Sequence, residues 1–345
     1  MYEAFYGLTG KPFQLNPDPS FYYGSRGHKR AFAYLEYGLY QSEGFIVITG
    51  EIGAGKTTIV RSLLEQLDPG KVVAVQLVST QLDADDLLRA VGTAFGLPVR
   101  SVDKAILLAS LEAFLCQLAV DKTRALLVVD EAQNLSPRAI EELRMLSNFQ
   151  LGDQALLQSF LVGQPELRTM MQSAQAQQLR QRVIASYHLG PLDRTETQAY
   201  VEHRLRHVGW KDDPAFEPGT FELIHELTGG IPRRINTLCN RVLLATYLAE
   251  KHSVGAAEVQ TVANEIREEM GADAVLSPVA AAGDASPGAD SLARSRIDPA
   301  VWHRHFHHIE ERIDRLEATV GAAVDLLHAL LHPDKAKPGT PKGRG

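Results

Sequence analysis

The sequence has few cysteines and no long apolar run, and each absence excludes a class of protein. Only two cysteines occur among its 345 residues, Cys116 and Cys239. Both lie in apolar helical patterns without CxxC spacing, so the sequence predicts two buried small side chains and neither a disulfide framework nor a zinc site. No apolar stretch approaches the roughly 18 residues that a membrane-spanning helix requires, so no membrane span is predicted.

A secretory signal is also missing, and so is an excess of basic charge. The opening residues, MYEAFYGLTGKPF, contain neither a basic region nor a long apolar region, which predicts a cytoplasmic protein. Basic residues number 35 and acidic residues 42, giving a net charge of −7. That balance argues against a broad nucleic-acid-binding surface, which needs positive charge. The remaining composition, 45% hydrophobic and 22% charged, is that of an ordinary globular protein.

Short apolar strand patterns alternate with helical patterns up to about residue 192. Strands are predicted at residues 44–49, 71–78, 125–130, 156–163 and 185–189, and helices at 57–67, 83–95, 103–120 and 136–149. This alternation predicts an α/β domain, residues 1–192, with a parallel sheet covered on both faces. Later patterns are helical only, at 193–208, 218–227, 233–250 and 255–270. They predict a small all-helical domain, residues 193–270.

The composition changes after residue 270. Residues 271–300 contain 19 Ala, Gly, Pro or Ser among 30, which predicts a flexible linker, and residues 333–345 have the polar composition of a disordered tail. Between them, residues 301–332 carry apolar side chains at alternating spacings of four and three: Trp302, Phe306, Ile309, Ile313, Leu316, Val320, Ala323, Leu327 and Leu330. This heptad pattern predicts a coiled-coil helix, with an amphipathic helix docked on its own chain as the alternative.

Residues 50–57 match the phosphate-binding pattern G-x-x-x-x-G-K-[ST], directly after a predicted strand and before a predicted helix. Glycines let the backbone N–H groups turn toward phosphate oxygens, and the helix adds its positive end. Lys56 is predicted to reach the β and γ phosphates, and the Thr57 hydroxyl to coordinate Mg²⁺. The predicted nucleotide-binding residues of this loop are Gly50, Glu51, Ile52, Gly53, Ala54, Gly55, Lys56, Thr57 and Thr58.

A second apolar strand, ALLVVD, ends in the acidic pair Asp130 and Glu131. The carboxyl end of a parallel strand lies beside the phosphate site in folds of this kind. Asp130 is therefore predicted to hold the Mg²⁺ shell, and Glu131 to polarise the attacking water as general base. A solvated strand end is the alternative for the pair alone. The second carboxylate favours hydrolysis over transfer by a small-molecule kinase.

Four further polar residues stand where the apolar pattern does not explain them. Gln164 ends the strand SFLVG, where its amide can face the γ-phosphate and water or merely cap the strand end. Arg180 and Arg182 precede the last strand, where a guanidinium can act across a subunit boundary or lie on a solvated helix face. Arg233 opens a helix, where a cation opposes the helix dipole, so an anionic partner such as a nucleotide phosphate is predicted.

With these motifs the chain resembles the AAA+ ATPases, and more closely the ExeA-like secretion ATPases, also called general secretion pathway protein A. The resemblance covers about residues 1–270 and includes GEIGAGKTT, LLVVDEAQ, LRMLSNFQ, FLVGQPEL, LRQRV and GGIPRRIN. The stretches YGLTGKPFQLNPDP and EGFIVITGEIGAGKTT are most similar to the subfamily associated with XrtA (exosortase) and PEP-CTERM exopolysaccharide loci. ExeA-type proteins continue into a transmembrane helix and a peptidoglycan-binding domain, for which nothing after residue 270 is apolar or long enough.

The resemblance implies a P-loop NTPase (AAA+) core with a small all-helical lid domain, and ATP and Mg²⁺ as ligands. By this resemblance, Lys56 and Thr57 belong to Walker A, and Asp130 and Glu131 belong to Walker B. Gln164 corresponds to sensor 1 and Arg233 to sensor 2. Either Arg180 or Arg182 corresponds to the arginine finger. The resemblance also implies that the segment before the P-loop contacts adenine. Tyr22, Tyr23 and His28 are the candidates, with packing of the tyrosines in the core as the alternative.

The expected function is that of an AAA+ ATPase that uses ATP hydrolysis for conformational work on partner proteins. By resemblance, the partners belong to an envelope export or polysaccharide assembly system, and the enzyme works as a homo-oligomer, either a nucleotide-dependent ring or a coiled-coil assembly. It is expected in the cytoplasm, peripheral to the inner membrane through its partners. Two alternatives remain, a DNA-associated ATPase of the transposition type and a nucleotide-switch scaffold that acts through its coiled coil.

Overall fold

The computed structural model describes residues 1–16, 18–78, 81–99 and 103–270. The predicted linker, coiled-coil helix and tail, residues 271–345, lie outside the described residues. The strands are β1 Phe45–Gly50, β2 Val72–Val78, β3 Arg124–Asp130, β4 Gln150–Leu151, β5 Gln154–Ala155, β6 Leu157–Gly163, β7 Val183–Leu189, β8 Ala215–Phe216 and β9 Ser253–Val254.

Twelve helices lie between or beside these strands in the described residues. They are α1 Tyr2–Phe5, α2 Arg26–Gln41, α3 Lys56–Gln66, α4 Ala84–Ala94, α5 Lys104–Val120, α6 Pro137–Leu146, α7 Pro165–Gln172, α8 Gln177–Arg180, α9 Arg194–His207, α10 Thr220–Thr228, α11 Pro232–Leu248 and α12 Ala256–Met270. Short 3₁₀ turns occupy Pro19–Phe21 and Ala132–Asn134.

Five parallel strands form the main sheet in the order β2-β3-β6-β1-β7, which confirms the predicted α/β fold with a parallel sheet. Strands β1 and β6 are buried at every position, because helices cover both faces of the sheet. Side chains of β1 alternate between two cores: Phe45 and Val47 face one, and Ile46 and Ile48 face the other. Each such buried side chain contributes roughly 1.5–3 kcal/mol through the hydrophobic effect.

The strand order decides which loops meet. Strand β6 lies between β1 and β3, and Thr49 of β1 is paired in register with Gly163 of β6. All three strands run in the same direction, so the loops that follow Gly50, Asp130 and Gly163 leave the sheet at one edge. The three sequence motifs that carry the predicted chemistry therefore come together.

Helices α9 to α12 form a third apolar core, separate from the two on the faces of the sheet. The first of them begins where the sequence predicts, because Asp193 and Glu196 form a reciprocal capping box that satisfies free backbone N–H groups. The prediction that this block is all-helical is wrong in one detail. Strands β8 and β9 pair in parallel over two residues each. Runs this short carry no strand pattern that sequence periodicity can detect.

The first residues of the chain pack with this helical core and not with the sheet. Tyr2, Tyr6, Leu8 and Phe13 are buried in the same cluster as the apolar side chains of α9 to α12. The sequence prediction placed this segment with the α/β domain, because adjacency along the chain was the only guide. Its apolar side chains instead join the core that lies nearest in space.

The two cysteines differ in burial. Cys239 is buried, as predicted, whereas Cys116 is only half-buried, which corrects the prediction for that residue. Helix α5 turns Leu107, Leu111 and Leu115 inward, and the position after Leu115 points about 100° away from that stripe. In the part of the chain that the structure describes, no helix combines the length and the apolarity needed to cross a bilayer.

Candidate functional site

A cavity of about 360 Å³ lies where the loop after β1 meets the N-terminal segment and helices α9 and α11. Its lining includes Gly53, Lys56 and Thr57 of the loop, together with Glu131, Tyr22 and Arg233. Ile52, Gly55 and Thr58 also line it. The volume is within the range of pockets that bind small organic ligands. Residues separated by more than two hundred positions in the sequence, such as Tyr22 and Arg233, thus share one concave site.

The loop from Gly50 to Thr57 wraps tightly because two of its glycines adopt left-handed backbone angles. Gly53 has φ of 83° and Gly55 has φ of 99°, a region that residues with a Cβ rarely enter. Gly55 is the N-cap of α3, so the free N–H groups of that helix begin at the loop. This is the geometry by which backbone amides and a helix dipole attract an anion.

Lys56 is buried and held by its own loop. Its Nζ donates to the backbone oxygens of Gly50 at 2.7 Å and of Glu51 at 2.9 Å. Burial lowers the pKa of Lys56, and the charges of Glu131 and Asp130 act in the opposite direction. Ala54 is buried within the loop, while the side chain of Ile52 is 57% exposed. The ammonium group is therefore fixed at the cavity by carbonyl dipoles, and no carboxylate among the described residues is bound to it.

Thr57 and Asp130 bring a hydroxyl and a carboxylate together. The Thr57 hydroxyl donates to Oδ2 of Asp130 at 3.0 Å. Burial raises the pKa of Asp130, although hydrogen bonds from the Glu131 backbone and from Thr57 act to lower it. Hydroxyl and carboxylate oxygens are the ligands that Mg²⁺ prefers, so this pair fits the predicted cation.

Glu131 begins the 3₁₀ turn that follows β3, with a left-handed φ of 53° that is uncommon for a residue with a side chain. Its Oε2 accepts from Nε2 of Gln164 at 3.0 Å and from Nε2 of Gln133 at 2.5 Å. Burial acts to raise the pKa of Glu131, but these two hydrogen bonds and the charge of Lys56 outweigh it, so the pKa is lowered. The carboxylate is thereby kept ionised, as a base requires.

Gln164 stands at the N-cap of α7 but its side chain makes no capping hydrogen bond. Its amide donates to Glu131 instead, and Gln164 does not line the cavity. The predicted role of this amide toward the γ-phosphate and water stays a prediction. Sequence reasoning missed Gln133, whose Oε1 accepts from the backbone N–H of Gln164 at 3.0 Å. The stretch DEAQ was the available signal, but only its two acids carried a recognisable role.

Helix α11 of the helical block touches the loop directly. The backbone N–H of Arg233 donates to the carbonyl of Gly53 at 3.1 Å. A Cβ on Gly53 would lie 2.3 Å from Cβ of Arg233, so only glycine permits this approach. Arg233 is at the second position of α11 and lines the cavity, where its cation opposes the dipole of its own helix. The helical block and the loop therefore meet at a residue that favours an anion.

Tyr22, Tyr23 and His28 all line the cavity, and the two tyrosines also pack against apolar cores. His28 lies beneath the loop, where its Nδ1 pairs with the Ser25 hydroxyl at 2.7 Å and the ring bonds the backbone of Ala54. Burial lowers the pKa of His28, although the bond to Ala54 and the charge of Glu196 act to raise it. It therefore supports the loop in its neutral form.

Arg204 of α9 is a second residue that sequence reasoning missed. It is buried and lines the cavity, where it donates to the backbone oxygens of Pro12 at 2.5 Å and Gln14 at 3.4 Å. Its guanidinium also lies 4.6 Å from the ring centroid of Phe21. These contacts hold the N-terminal segment against the helical block. An arginine on a helix gives no sequence signal that distinguishes this role from a solvated face.

Arg180 and Arg182 lie outside the cavity lining. Arg180, the last residue of α8, donates to the backbone oxygen of Met171 at 3.2 Å. Arg182 is half-buried and donates to the backbone oxygen and hydroxyl of Ser147 at 3.0 and 3.1 Å. The structure therefore does not bring either arginine to the site of its own chain, and the action of either one on a neighbouring chain stays a prediction.

Comparison with known proteins supports the nucleotide-binding character of this site. Residues 39–171 match the family model of the AAA domain. Over 268 residues the chain is 40% identical to general secretion pathway protein A of Aeromonas hydrophila, an alignment that covers 77% of this chain and 48% of that protein. The chain spans about half the length of this curated relative.

Solved structures share the fold. The ORC2 protein of Aeropyrum pernix, in its ADPNP–ADP complexes, has a TM-score of 0.56 at 20% identity over 74% of this chain and 71% of that one. Cdc6p of Pyrobaculum aerophilum has a TM-score of 0.58 at 15% identity over 75% and 72% of the two chains. At these identities the likeness concerns the fold alone, which is the AAA P-loop fold.

Proposed function

We propose that this chain, an AAA-type P-loop protein similar to general secretion pathway protein A, binds ATP with Mg²⁺ and hydrolyses it to drive conformational work on partner proteins. The observation that carries the proposal is the single cavity that joins the P-loop, Glu131 and Arg233. A phosphate cradle alone suits any nucleotide-binding protein. A carboxylate kept ionised beside that cradle, with a helical block in direct contact, suits hydrolysis coupled to movement.

The roles follow from the contacts. The N–H groups of the P-loop and of the start of α3 bind phosphate oxygens, and Lys56 adds its positive charge. Thr57 and Asp130 would hold Mg²⁺, which when bound neutralises charge on the phosphates. Glu131 accepts the proton of the attacking water, and Gln164 orients that water or the γ-phosphate. Arg233 would contact the phosphates, so that a change in their charge or position moves α11 and the helical block to which it belongs.

We also propose the domain division that the sequence predicts, with an α/β nucleotide-binding domain up to residue 192 and a lid at 193–270. Through Arg204 and the apolar cluster of residues 2–13, the N-terminal segment would move with the lid. The chain is proposed to assemble with copies of itself, so that Arg180 or Arg182 of one copy reaches the phosphates of the next. Location in the cytoplasm, held at the inner membrane through partners, is part of the same proposal.

The proposed pathway is envelope export or exopolysaccharide assembly associated with an exosortase and PEP-CTERM system. Two observations support it: the identity to general secretion pathway protein A over 268 residues, and the similarity of the stretches before and within the P-loop to the exosortase-associated subfamily. The predicted linker and coiled-coil helix, residues 271–332, are proposed as the segment that joins copies or recruits a partner.

Steady-state ATP hydrolysis by the full chain tests the chemistry. Glu131→Gln is expected to keep nucleotide affinity and to lower kcat by at least about 100-fold, because it removes the general base. Lys56→Ala is expected to lose affinity itself, as measured with a fluorescent ATP analogue. Gln198→Leu, on the exposed face of α9, is the control and should match the wild type.

Absence of turnover in the wild type at every concentration and with every assembly partner tested would contradict the enzyme proposal and favour a nucleotide switch. Expression of Glu131→Gln in the native cell tests the pathway. Reduced surface polysaccharide or retained PEP-CTERM proteins are expected, and unchanged export would contradict the assignment to this system.

A further inference from the structure

Gln133 occupies a position between two residues of the proposed site without lining the cavity itself. It lies in the 3₁₀ turn after β3 and is half-buried. Its amide nitrogen donates to Oε2 of Glu131 at 2.5 Å, while its amide oxygen accepts from the backbone N–H of Gln164 at 3.0 Å. One side chain therefore links the end of β3 to the end of β6.

The link closes into a triangle. The side-chain amide of Gln164 donates to the same oxygen of Glu131, at 3.0 Å. Two amides thus converge on one carboxylate oxygen, and each amide is tied to the other through the Gln164 backbone. A displacement of any member changes at least two hydrogen bonds, so the three groups are expected to move together.

The backbone at Glu131 and at Gly163 allows these three hydrogen bonds to form together. Glu131 has a left-handed φ of 53° and precedes the 3₁₀ turn that contains Gln133. This turn brings the side-chain amide of Gln133 to the carboxylate of Glu131. Gly163 leaves the space that the amide fills, since a Cβ there would lie 2.6 Å from Oε1 of Gln133 and 2.9 Å from Cδ2 of Leu167. Strain and close approach of this kind persist only where the surroundings impose them.

We propose that Gln133 is a positioning residue for hydrolysis, which fixes the carboxylate of Glu131 against β6 and makes its orientation depend on that of Gln164. This inference rests on the proposed ATPase function. Gln133 acts through Glu131 and makes no contact with the cavity, so it affects the rate of the chemical step and not the affinity for nucleotide. An amide suits this role because it donates to the carboxylate and accepts from the backbone at once.

Two substitutions at Gln133 test that role. Gln133→Leu removes both hydrogen bonds at similar volume. Gln133→Glu keeps an oxygen for the Gln164 N–H but replaces the donor with a carboxylate that repels Glu131. Both variants are expected to lower kcat about tenfold or more, because a displaced catalytic group costs one to two orders of magnitude. The KM and the nucleotide dissociation constant should stay within about twofold of the wild type. The number of nucleotide-binding sites per chain should also stay at the wild-type value, which a loss of folded protein would lower.

The matched control is Gln198→Leu. Gln198 also donates its amide to a glutamate carboxylate, Oε1 of Glu202, at 2.8 Å, but on the exposed surface of α9. Its loss should leave kcat and KM unchanged. Gly163→Ala offers an independent route, since its Cβ displaces Oε1 of Gln133, and it should reproduce the kcat defect of Gln133→Leu.

A double variant tests the mechanism. In a Glu131→Gln background, Gln133→Leu should cause no further loss of rate, because its effect passes through the Glu131 carboxylate. A multiplicative further loss would overturn the inference, and so would a normal kcat in Gln133→Leu while the wild type turns over. A wild type without turnover would instead overturn the proposed function.

Nucleotide-free protein gives a second readout that does not depend on turnover. In chain labelled with ¹⁵N-glutamine, Gln133→Leu should shift both the backbone and side-chain amide resonances of Gln164, and Gln198→Leu should shift neither. Unchanged Gln164 resonances in Gln133→Leu would overturn the positioning role, whatever the activity.

Discussion

At the scale of single residues, dipoles hold the charged groups of the site. Lys56 donates to two backbone carbonyls, and Glu131 accepts from two side-chain amides. A carboxylate bound to Lys56, or a cation bound to Glu131, would cancel the charge that the reaction needs. Fixed neutral dipoles orient each charge and leave it available, which is the arrangement that makes preorganised sites effective.

His28 contacts the P-loop as a buried, neutral ring, and the pH dependence of the protein's stability tests that state. Burial lowers its pKa, so the unfolded chain takes up the proton more readily than the folded one, and stability is lost as pH falls below the ordinary histidine value of about 6.5. We expect His28→Gln to lose less stability than the wild type between pH 7.5 and 5.5. Urea denaturation at both pH values measures this.

His188, His203 and His225 also have pKa values lowered by burial, and they remain in both chains as a common background. An equal loss in His28→Gln and wild type would contradict the neutral, buried state of His28.

At the scale of elements, sequence periodicity predicted the strands and helices whose buried positions are all apolar. The five strands of the main sheet lie within two residues of their predicted bounds, because strands buried on both faces are continuously apolar. Helix α2 was not predicted, since its buried stripe consists of His28, Ala31, Leu35 and Gly38. Small and polar residues in a stripe hide its period.

Gly38 shows why this stripe needs a small residue where α2 crosses β1, and Gly38→Ala tests that requirement. A Cβ at this position would lie 2.4 Å from Cγ1 of Ile46, which is fully buried in β1. Alanine favours a helix by up to about 1 kcal/mol over glycine, but overpacking a core costs about 1–3 kcal/mol. We expect a net destabilisation on the order of 1 kcal/mol, measured by urea denaturation.

Gly27→Ala in the same helix is the matched control. Its Cβ would meet nothing closer than 3.4 Å, so helix propensity decides the sign and the variant should equal or exceed the wild type in stability. Equal stabilities of the two alanine variants would contradict the close approach of α2 to β1.

At the scale of the whole molecule, the site joins segments that lie far apart in sequence. The N-terminal segment, the P-loop, the end of β3 and helices α9 and α11 all line one cavity. Arg204 and Arg233 attach the helical block to the N-terminal segment and to the loop. Nucleotide binding at such a junction is expected to change how the helical block sits on the P-loop, which is a means of transmitting hydrolysis to partners.

Assembly tests whether this junction acts between copies. Because Arg180 and Arg182 are retained in a chain that ends at residue 270, we expect a non-hydrolysable ATP analogue to raise the mass of the particle in solution for both the full-length and the shortened chain. Light scattering coupled to chromatography measures both. Arg180→Ala and Arg182→Ala should show which arginine is needed, and assembly that requires residues 271–345 without regard to nucleotide would contradict the proposed interface.

The sequence by itself determined the parallel α/β fold, the phosphate-binding loop and the acidic strand end, because each depends on neighbours along the chain. Burial on both faces gives an apolar strand, and a loop that must turn through left-handed angles needs glycine. Only the tertiary structure decided that Gln133 joins Glu131 to Gln164, that Arg204 holds the first residues, and that Gly53 meets Arg233. These contacts follow from strand order and from packing between distant segments, which no local pattern records.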